Sequence, residues 1–234
     1  MKSSRLARLL KYAAGIAALC IVTAGCVSSD FNVETLAKSD INQVSDIHID
    51  QTLILLKRLT RKLYKMNPGE LDKSPGATIG SRINQIFQCP PLPPDPVLSE
   101  KKSTDALLEG FESGYEGDRV YAVMYGLFTM LHAAYNQKCD LFMLDFLDAQ
   151  NLYNSARNIE ILVWRLKTRH KPDGSLFLVT NTCDGPVQNL SFERVFGQLI
   201  SLTDTMALIV SGRSNRLIKE AVHMAGMAFL PVGI

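Results

Sequence analysis

Residues 120–135 form a run of sixteen positions without a formal charge, apart from His132 when it is protonated. Asp118 stands just before the run and is a residue type that caps helix N-termini. A helix that is apolar on nearly every face has to be enclosed by other elements. The run is too short and too rich in tyrosine for a membrane span. It therefore predicts a helix at the centre of a helical bundle.

Apolar residues recur at helical spacing through most of the remaining chain after residue 45. This pattern predicts an all-α, single-domain helical bundle over residues 46–234. Asp46 is expected to cap the first helix, and Ser191 and Ser214 the last two. The predicted helices, besides the central one, cover residues 48–66, 78–88, 104–113, 141–150 and 151–169 (as one bent helix or two), 191–211 and 214–229.

Two segments interrupt the helical pattern. Residues 89–96 contain five prolines, which exclude a helix or a sheet interior and predict an extended connector across the surface. A docking strip for an aromatic groove is the alternative. Residues 176–180 have the composition of a strand, but a single strand would have no partner, so a buried extended loop is expected.

The amino-terminal segment has the layout of an export signal. Its basic residues precede an uncharged apolar stretch, 12–23, and the sequence Ala24-Gly25-Cys26 follows. This segment resembles a bacterial lipoprotein signal peptide that ends in a lipobox. The resemblance implies cleavage before Cys26 and lipidation of that cysteine, with residues 1–25 as the signal peptide and 26–45 as a lipidated tether. The basic residues are Lys2, Arg5, Arg8 and Lys11.

The same resemblance implies a location. Val27 follows the cysteine, where aspartate is associated with retention at the inner membrane, so the outer membrane with the domain facing the periplasm is expected. The alternative is an uncleaved amino-terminal helix, which would also hold the domain outside the cytoplasm. More than one acyl chain on Cys26 would satisfy the requirement for stable anchoring.

Charge argues against one class of partner. Four of the 25 basic residues leave with the leader, so 21 remain against 23 acidic residues. A nearly neutral domain without a strong positive field does not indicate nucleic-acid binding. The partners expected instead are the membrane, through the anchor, and an envelope protein.

The cysteines that remain after Cys20 and Cys26 allow one disulfide in an oxidising compartment. Three pairings are open, and three buried thiols are the alternative. We expect Cys139 to pair with Cys183, because each lies in a polar break beside an aspartate, which would leave Cys89 free. No Cys-x-x-Cys occurs and the histidines are scattered, so neither a metal site nor a cofactor is expected.

One face of the helix predicted over 48–66 is basic. It forms either a solvated surface over a core helix or a contact with a polyanion or anionic headgroups. The residues on this face are Lys57, Arg58, Arg61, Lys62 and Lys65.

Catalytic signatures are missing from the sequence. There is no nucleophile elbow, zinc-protease motif, P-loop or dinucleotide fingerprint. His132 is expected to be a buried histidine with its hydrogen bonds satisfied. Asp204, in an otherwise apolar helix, is expected either to pair with a base such as Arg165 or to stay near water. The predicted function is a structural or assembly lipoprotein of the cell envelope. The alternatives are binding of a lipid or small apolar ligand, which an open apolar groove would favour, and cell-wall hydrolysis, which convergent carboxylates would favour.

Overall fold

The computed structural model describes residues 40–139, 147–181, 189–214, 218 and 228–233. This part of the chain contains seven α-helices and no strand, which confirms the all-α prediction. A short 3-10 turn, Pro96–Leu98, lies at the end of the proline-rich segment. The helices are α1 (Asp40–Met66), α2 (Pro68–Asp72), α3 (Ile79–Ile86), α4 (Ser103–Glu109), α5 (Arg119–Ala134), α6 (Ala149–Thr168) and α7 (Ser191–Ser214).

Helix α5 lies at the centre of the bundle, as its uncharged sequence predicts. Every residue from Arg119 to Leu131 is buried, and α5 contacts α1, α2, α3, α4 and α6. Helix α7 packs along α6 and also contacts α1. Gly126 allows α4 to approach closely, because a Cβ there would lie 2.8 Å from the backbone nitrogen of Leu107.

A buried polar network closes the N-terminal end of α5. Asp118 caps the helix by accepting from the backbone N–H of Tyr121 at 2.9 Å. Its other oxygen accepts from the Tyr64 hydroxyl at 2.7 Å and lies 3.3 Å from Nε of Arg82. The Arg82 guanidinium also lies 4.7 Å from the centre of the Tyr121 ring. Burial, reinforced by the charge of Asp118, raises the pKa of Tyr64 far above its ordinary range.

Arg119 and Glu70 complete this end of the helix. Glu70 accepts from the backbone N–H of Arg119 at 2.7 Å and so satisfies another free donor of the first turn. The Arg119 guanidinium donates to the carbonyls of Gly110, Glu112 and Tyr115 at 2.9, 2.8 and 2.7 Å. The loop between α4 and α5 is therefore held by backbone contacts to one side chain.

The first helix begins earlier than the sequence predicted. Helix α1 starts at Asp40, so residues 40–45, which were assigned to the tether, are helical, and Asp46 lies inside the helix rather than at its cap. The apolar spacing begins near residue 48, and the polar first turns hid the true start. The rest of the predicted tether and the signal peptide lie outside the described residues.

Other boundaries also differ from the prediction. Helix α4 ends at Glu109 rather than near 113. Helix α7 continues through Gly212 to Ser214, so Ser214 is not an N-cap. Most of the predicted helix over 214–229 and residues 141–146 lie outside the described residues, and α6 begins at Ala149 behind the cap Asp148.

The loop prediction for residues 176–180 is confirmed. Phe177 and Leu178 are buried, and the segment makes only an isolated bridge, between His170 and Leu176, in the described part of the chain. Asn67 anchors it by accepting from the N–H of Val179 at 2.7 Å and donating to the carbonyl of the same residue at 2.9 Å.

Helix α7 is the described helix that meets the length and composition of a membrane span, over residues 191–212. In the structure it packs on α6 and α1. Asp204 in its centre forms an ion pair with Arg157 of α6, with Nη2 and Oδ2 2.6 Å apart. These contacts are typical of a helix in a bundle.

The polar network predicts a large stability effect at its centre. Replacing Asp118 with alanine removes the cap of α5 and the more deeply buried of the two carboxylates beside Arg82, which keeps only the partly exposed Asp95, so we expect the free energy of unfolding to fall by about 3 kcal/mol. Tyr64→Phe removes one hydrogen bond to a charged group and should cost about 1.5 kcal/mol. Urea unfolding measures both. Asp50→Ala, at an exposed carboxylate on α1, is the control and should change stability by less than about 0.5 kcal/mol; an equal loss there would contradict this role for the network.

Candidate functional site

An apolar pocket lies between α1 and α5, near the C-terminal end of α5. It has an empty volume of about 450 Å³, part of which is open to solvent. Its walls are almost entirely carbon, because α1 and α5 face each other here through leucines and aromatic rings. The lining residues are Ile49, Thr52, Leu53, Leu56, Cys89, Phe128, Leu131, His132, Tyr135, Lys138 and Cys139.

A disulfide between Cys89 and Cys139 lies in the lining of this pocket. Their Cα atoms are 5.7 Å apart. The predicted bond between Cys139 and Cys183 is therefore corrected, since one sulfur forms one disulfide, and Cys89 is not free. The connector after α3 brings Cys89 to the end of α5, a proximity that sequence spacing did not indicate. Cys183 lies outside the described residues.

The disulfide joins two positions that flank the centre of the bundle. Cys89 follows α3, and Cys139 follows α5. The bond closes a loop fifty positions long. Closing a loop of this length in the unfolded chain is worth about 4 kcal/mol in the chain-entropy model.

His132 lies beside the disulfide. One of its ring nitrogens and the sulfurs of Cys89 and Cys139 all lie within 4.8 Å of one another. The Nε2 atom of His132 is buried and has no hydrogen-bond partner. The expectation of a histidine with its hydrogen bonds satisfied is therefore wrong. Phe128 stands next to it, with ring centroids 6.0 Å apart, so the neighbourhood offers few polar groups.

The basic face of α1 is mostly free of internal contacts. Lys57, Arg58, Arg61 and Lys65 are exposed, and none of them forms an ion pair among the described residues. Lys62 differs, because it donates to Oγ of Ser191 at 2.6 Å and its Nζ lies 4.7 Å from the centre of the Phe192 ring. Lys62 thus joins α1 to α7 and is not part of the free surface.

Two exposed isoleucines share the side of α1 that carries the free cations. Ile47 is 54% exposed and Ile54 is 48% exposed. At 100° per residue, both fall with the four cations within an arc of about 100°. We call Ile47, Ile54, Lys57, Arg58, Arg61 and Lys65 the outer face of α1. The exposed carboxylate of Asp50 falls within the same arc, so the face combines exposed apolar side chains with a net positive charge.

Three carboxylates, Glu70, Asp95 and Asp118, take part in the network at the start of α5. Asp95 caps the 3-10 turn and lies 3.3 Å from Arg82, while Glu70 and Asp118 accept backbone hydrogen bonds of α5. Their oxygens are thus occupied in holding helix ends. This arrangement does not favour the hydrolase alternative.

Asp204 also has a different partner from the one considered. It pairs with Arg157, which lies about two helical turns before Arg165 on α6. The guanidinium of Arg165 instead lies 5.0 Å from the centre of the Phe229 ring. Both arginines lie on one helix, and their spacing could not show which of them faces α7.

Comparison with known proteins finds no matching family model, curated protein or solved structure. The site therefore has to be interpreted from its own chemistry. Two features stand out: the apolar pocket with its disulfide and histidine, and the outer face of α1. The predicted lipidation site, Cys26, lies outside the described residues.

Two half-buried histidines, His48 and His132, predict a dependence of stability on pH. Burial lowers the pKa of His132 and of His48 below the ordinary 6.5. Below pH 6.5 the unfolded chain therefore binds more protons than the folded one, so stability is complete above this pH and is lost as the pH falls through it. Urea unfolding of the oxidised protein between pH 7.5 and about 5 should show this loss, and His132→Gln should reduce it. A loss of the same size in His132→Gln would contradict the contribution assigned to His132.

Proposed function

We propose that this chain is a lipoprotein of the bacterial cell envelope, anchored through a lipidated Cys26 to the outer membrane and facing the periplasm. It acts by interaction, in a structural or assembly role, with the membrane and with an envelope protein as partners. The amino-terminal export segment supports the proposed location. The observation that carries the mode of action is the outer face of α1, where exposed cations and isoleucines lie side by side.

The chemistry of this face suits a surface of anionic headgroups. Each lysine or arginine near such a surface contributes about 1 kcal/mol, and the exposed isoleucines can enter the interface beside the charges. Ile47 and Ile54 are each about half exposed to water on this face, and contact with a membrane interface would cover their apolar surface. A protein partner for this face would have to offer acidic groups around an apolar patch.

The chain length between anchor and face is sufficient for this contact. Thirteen residues, 27–39, separate Cys26 from α1. Extended at about 3.3 Å per residue, they would span up to roughly 43 Å. The outer face can therefore reach the membrane that holds the anchor. Such a contact would fix the orientation of the bundle and present its other sides to an envelope partner.

A tryptophan placed in the outer face tests this contact. The full-length lipidated protein carrying Ile54→Trp is reconstituted in vesicles that contain anionic phospholipids with brominated acyl chains. We expect strong quenching of the added tryptophan at low salt and its loss at high salt, since charge screening weakens the attraction. Adding Arg58→Glu and Arg61→Glu should also abolish it, because two lost cations alone weaken binding about 30-fold.

The matched control is Leu208→Trp, at an exposed leucine of a different helix, α7. The unsubstituted chain, whose single tryptophan is Trp164, gives the background signal. Equal quenching at positions 54 and 208 would contradict the proposed orientation. Quenching at position 54 that survives the charge reversals would show that anionic headgroups are not recognised.

The apolar pocket supports a second candidate function, binding of a lipid chain or another small apolar ligand. Mostly apolar walls with a few polar groups are typical of such sites, and the walls of this pocket are almost entirely carbon, with His132 and Thr52 among the lining residues. Leu53 lies in its wall, while the neighbouring Ile54 faces outward.

Filling the pocket tests this second candidate. We expect the purified protein to bind the apolar dye N-phenylnaphthylamine, and Leu53→Trp to weaken binding at least tenfold by occupying the volume, or by about 1.4 kcal/mol. Ile54→Trp adds the same side chain one position away and should leave the dye affinity unchanged. The same dye affinity in all three proteins would exclude the pocket as the binding site.

A further inference from the structure

The disulfide and His132 together suggest a second state of the pocket rim. Two sulfurs and one imidazole nitrogen lie within 4.8 Å of one another, although the sulfurs are joined in the structure. Cys89 is exposed, so solvent and reductants can reach the bond. Both cysteines lie outside the helices, where side chains can rotate without breaking helical hydrogen bonds.

We propose that reduction of the Cys89–Cys139 disulfide opens a binding site for a thiophilic metal ion, which is held by the two thiolates and the imidazole of His132. The class is that of Cu(I) and Zn(II), the ions that thiolate and imidazole ligands prefer. The site goes beyond the proposed function and does not depend on the lipid anchor.

The distances fit such a site. Metal–sulfur bonds of about 2.3 Å and metal–nitrogen bonds of about 2.0 Å place ligand atoms around one ion about 3.5–4 Å apart. The histidine nitrogen is already within 4.8 Å of both sulfurs. Once the bond is broken, the two sulfurs need to separate by roughly 2 Å to reach this spacing, which rotation of the two cysteine side chains can supply.

The surroundings favour binding as well. The Nε2 atom of His132 has no hydrogen-bond partner, so no competing contact has to be broken before this atom binds an ion. Phe128 and Leu131 shield the site from water on one side. Three protein ligands leave one position toward the open mouth of the pocket, for water or an exogenous ligand, or vacant for Cu(I).

The redox step balances with a dithiol as the reductant. A thiolate of the dithiol attacks one cysteine sulfur, the cysteine–cysteine bond breaks, and a mixed disulfide forms. The second thiol of the dithiol then displaces the other cysteine, so the dithiol becomes a disulfide and supplies both electrons and both protons. Metal binding releases these two protons from Cys89 and Cys139 to solvent.

The two states exclude each other, because a sulfur in a disulfide is not a thiolate ligand. In the oxidised state the bond ties the connector to the end of α5. In the reduced state the metal ion would restore that link between Cys89 and Cys139. The state of the pocket rim would then depend on whether the surroundings oxidise or reduce thiols and on the concentration of the metal ion.

Anaerobic titration of the reduced protein tests the proposal, with Co(II) as the first metal added. The full chain carries Cys20→Ser, Cys26→Ser and Cys183→Ser, so that Cys89 and Cys139 are its only cysteines. After reduction and removal of the reductant, we expect one equivalent of Co(II) to produce thiolate-to-metal charge-transfer absorption. Zn(II) should displace it, and Cu(I) should be retained against a competing bicinchoninate chelator. The oxidised protein should show neither signal.

His132 provides the specific variant. Loss of an outer hydrogen-bond partner of a ligand costs about 10–100-fold in affinity, so losing the ligand itself in His132→Ala should weaken Co(II) binding at least about 100-fold. His170→Ala, at an exposed histidine, is the matched control and should bind as the parent does. Far-UV circular dichroism verifies that each reduced protein is folded.

The outcomes separate clearly. Binding that requires both reduction and His132, together with a higher melting temperature of the reduced protein on addition of Zn(II), supports the site. Failure of the reduced, folded parent to bind either Co(II) or Cu(I), or equal affinity in His132→Ala, overturns it. A parent that unfolds on reduction and does not refold with Zn(II) also overturns it. None of these results bears on the outer face of α1.

Discussion

Helix α5 has almost no polar side, so its whole circumference has to be kept from water, and the other helices are arranged to do this. Five of them contact it, and its residues from Arg119 to Leu131 are buried. Burial of a helix also removes water from its ends, where backbone groups lack partners within the helix. The architecture therefore depends on how each end of α5 is closed.

The two ends are closed in different ways. At the N-terminal end, Asp118 and Glu70 accept the free backbone donors, and Arg82 balances the buried charge of Asp118. At the C-terminal end, the backbone N–H groups of Asn136 and Gln137 donate to the last carbonyls of the helix. Beside them lie the disulfide, the apolar pocket walls and the unpartnered nitrogen of His132. The polar groups at the N-terminal end are paired with one another. The C-terminal end has an unpaired imidazole nitrogen, a disulfide that can be reduced and a pocket open to solvent. Chemistry at the bundle's core is therefore expected at the C-terminal end.

The sequence predicted the elements whose causes are local. The uncharged run and Asp118 correctly predicted a capped, central α5, and the prolines after Cys89 marked the connector between α3 and the next helix. The exposed face of α1 also followed from helical spacing, except for Lys62, whose contact with Ser191 comes from another helix. The ends of helices were predicted less accurately. The start of α1 at Asp40 was missed because the first turns of this helix are polar and lack the regular spacing of apolar residues that marks a helix.

Contacts between segments that are distant in the sequence could not be predicted from local sequence patterns. The pairing of Cys89 with Cys139 depends on where the connector crosses the bundle, and the local polar breaks at Cys139 and Cys183 pointed to a different bond. Likewise, Arg157 and Arg165 are equivalent in sequence as partners for Asp204, and only the packing of α6 on α7 distinguishes them. The proximity of His132 to the sulfurs has the same origin.

The proposed function rests on a domain held at a membrane by its amino terminus, with the outer face of α1 toward the lipid. Mass spectrometry of the amino-terminal peptide, from protein purified out of bacterial membranes, tests this claim most directly. The account predicts a chain that begins at Cys26 and carries the added mass of a diacylglycerol and further acyl substitution. A chain that begins at Met1, or an unmodified Cys26, would contradict it.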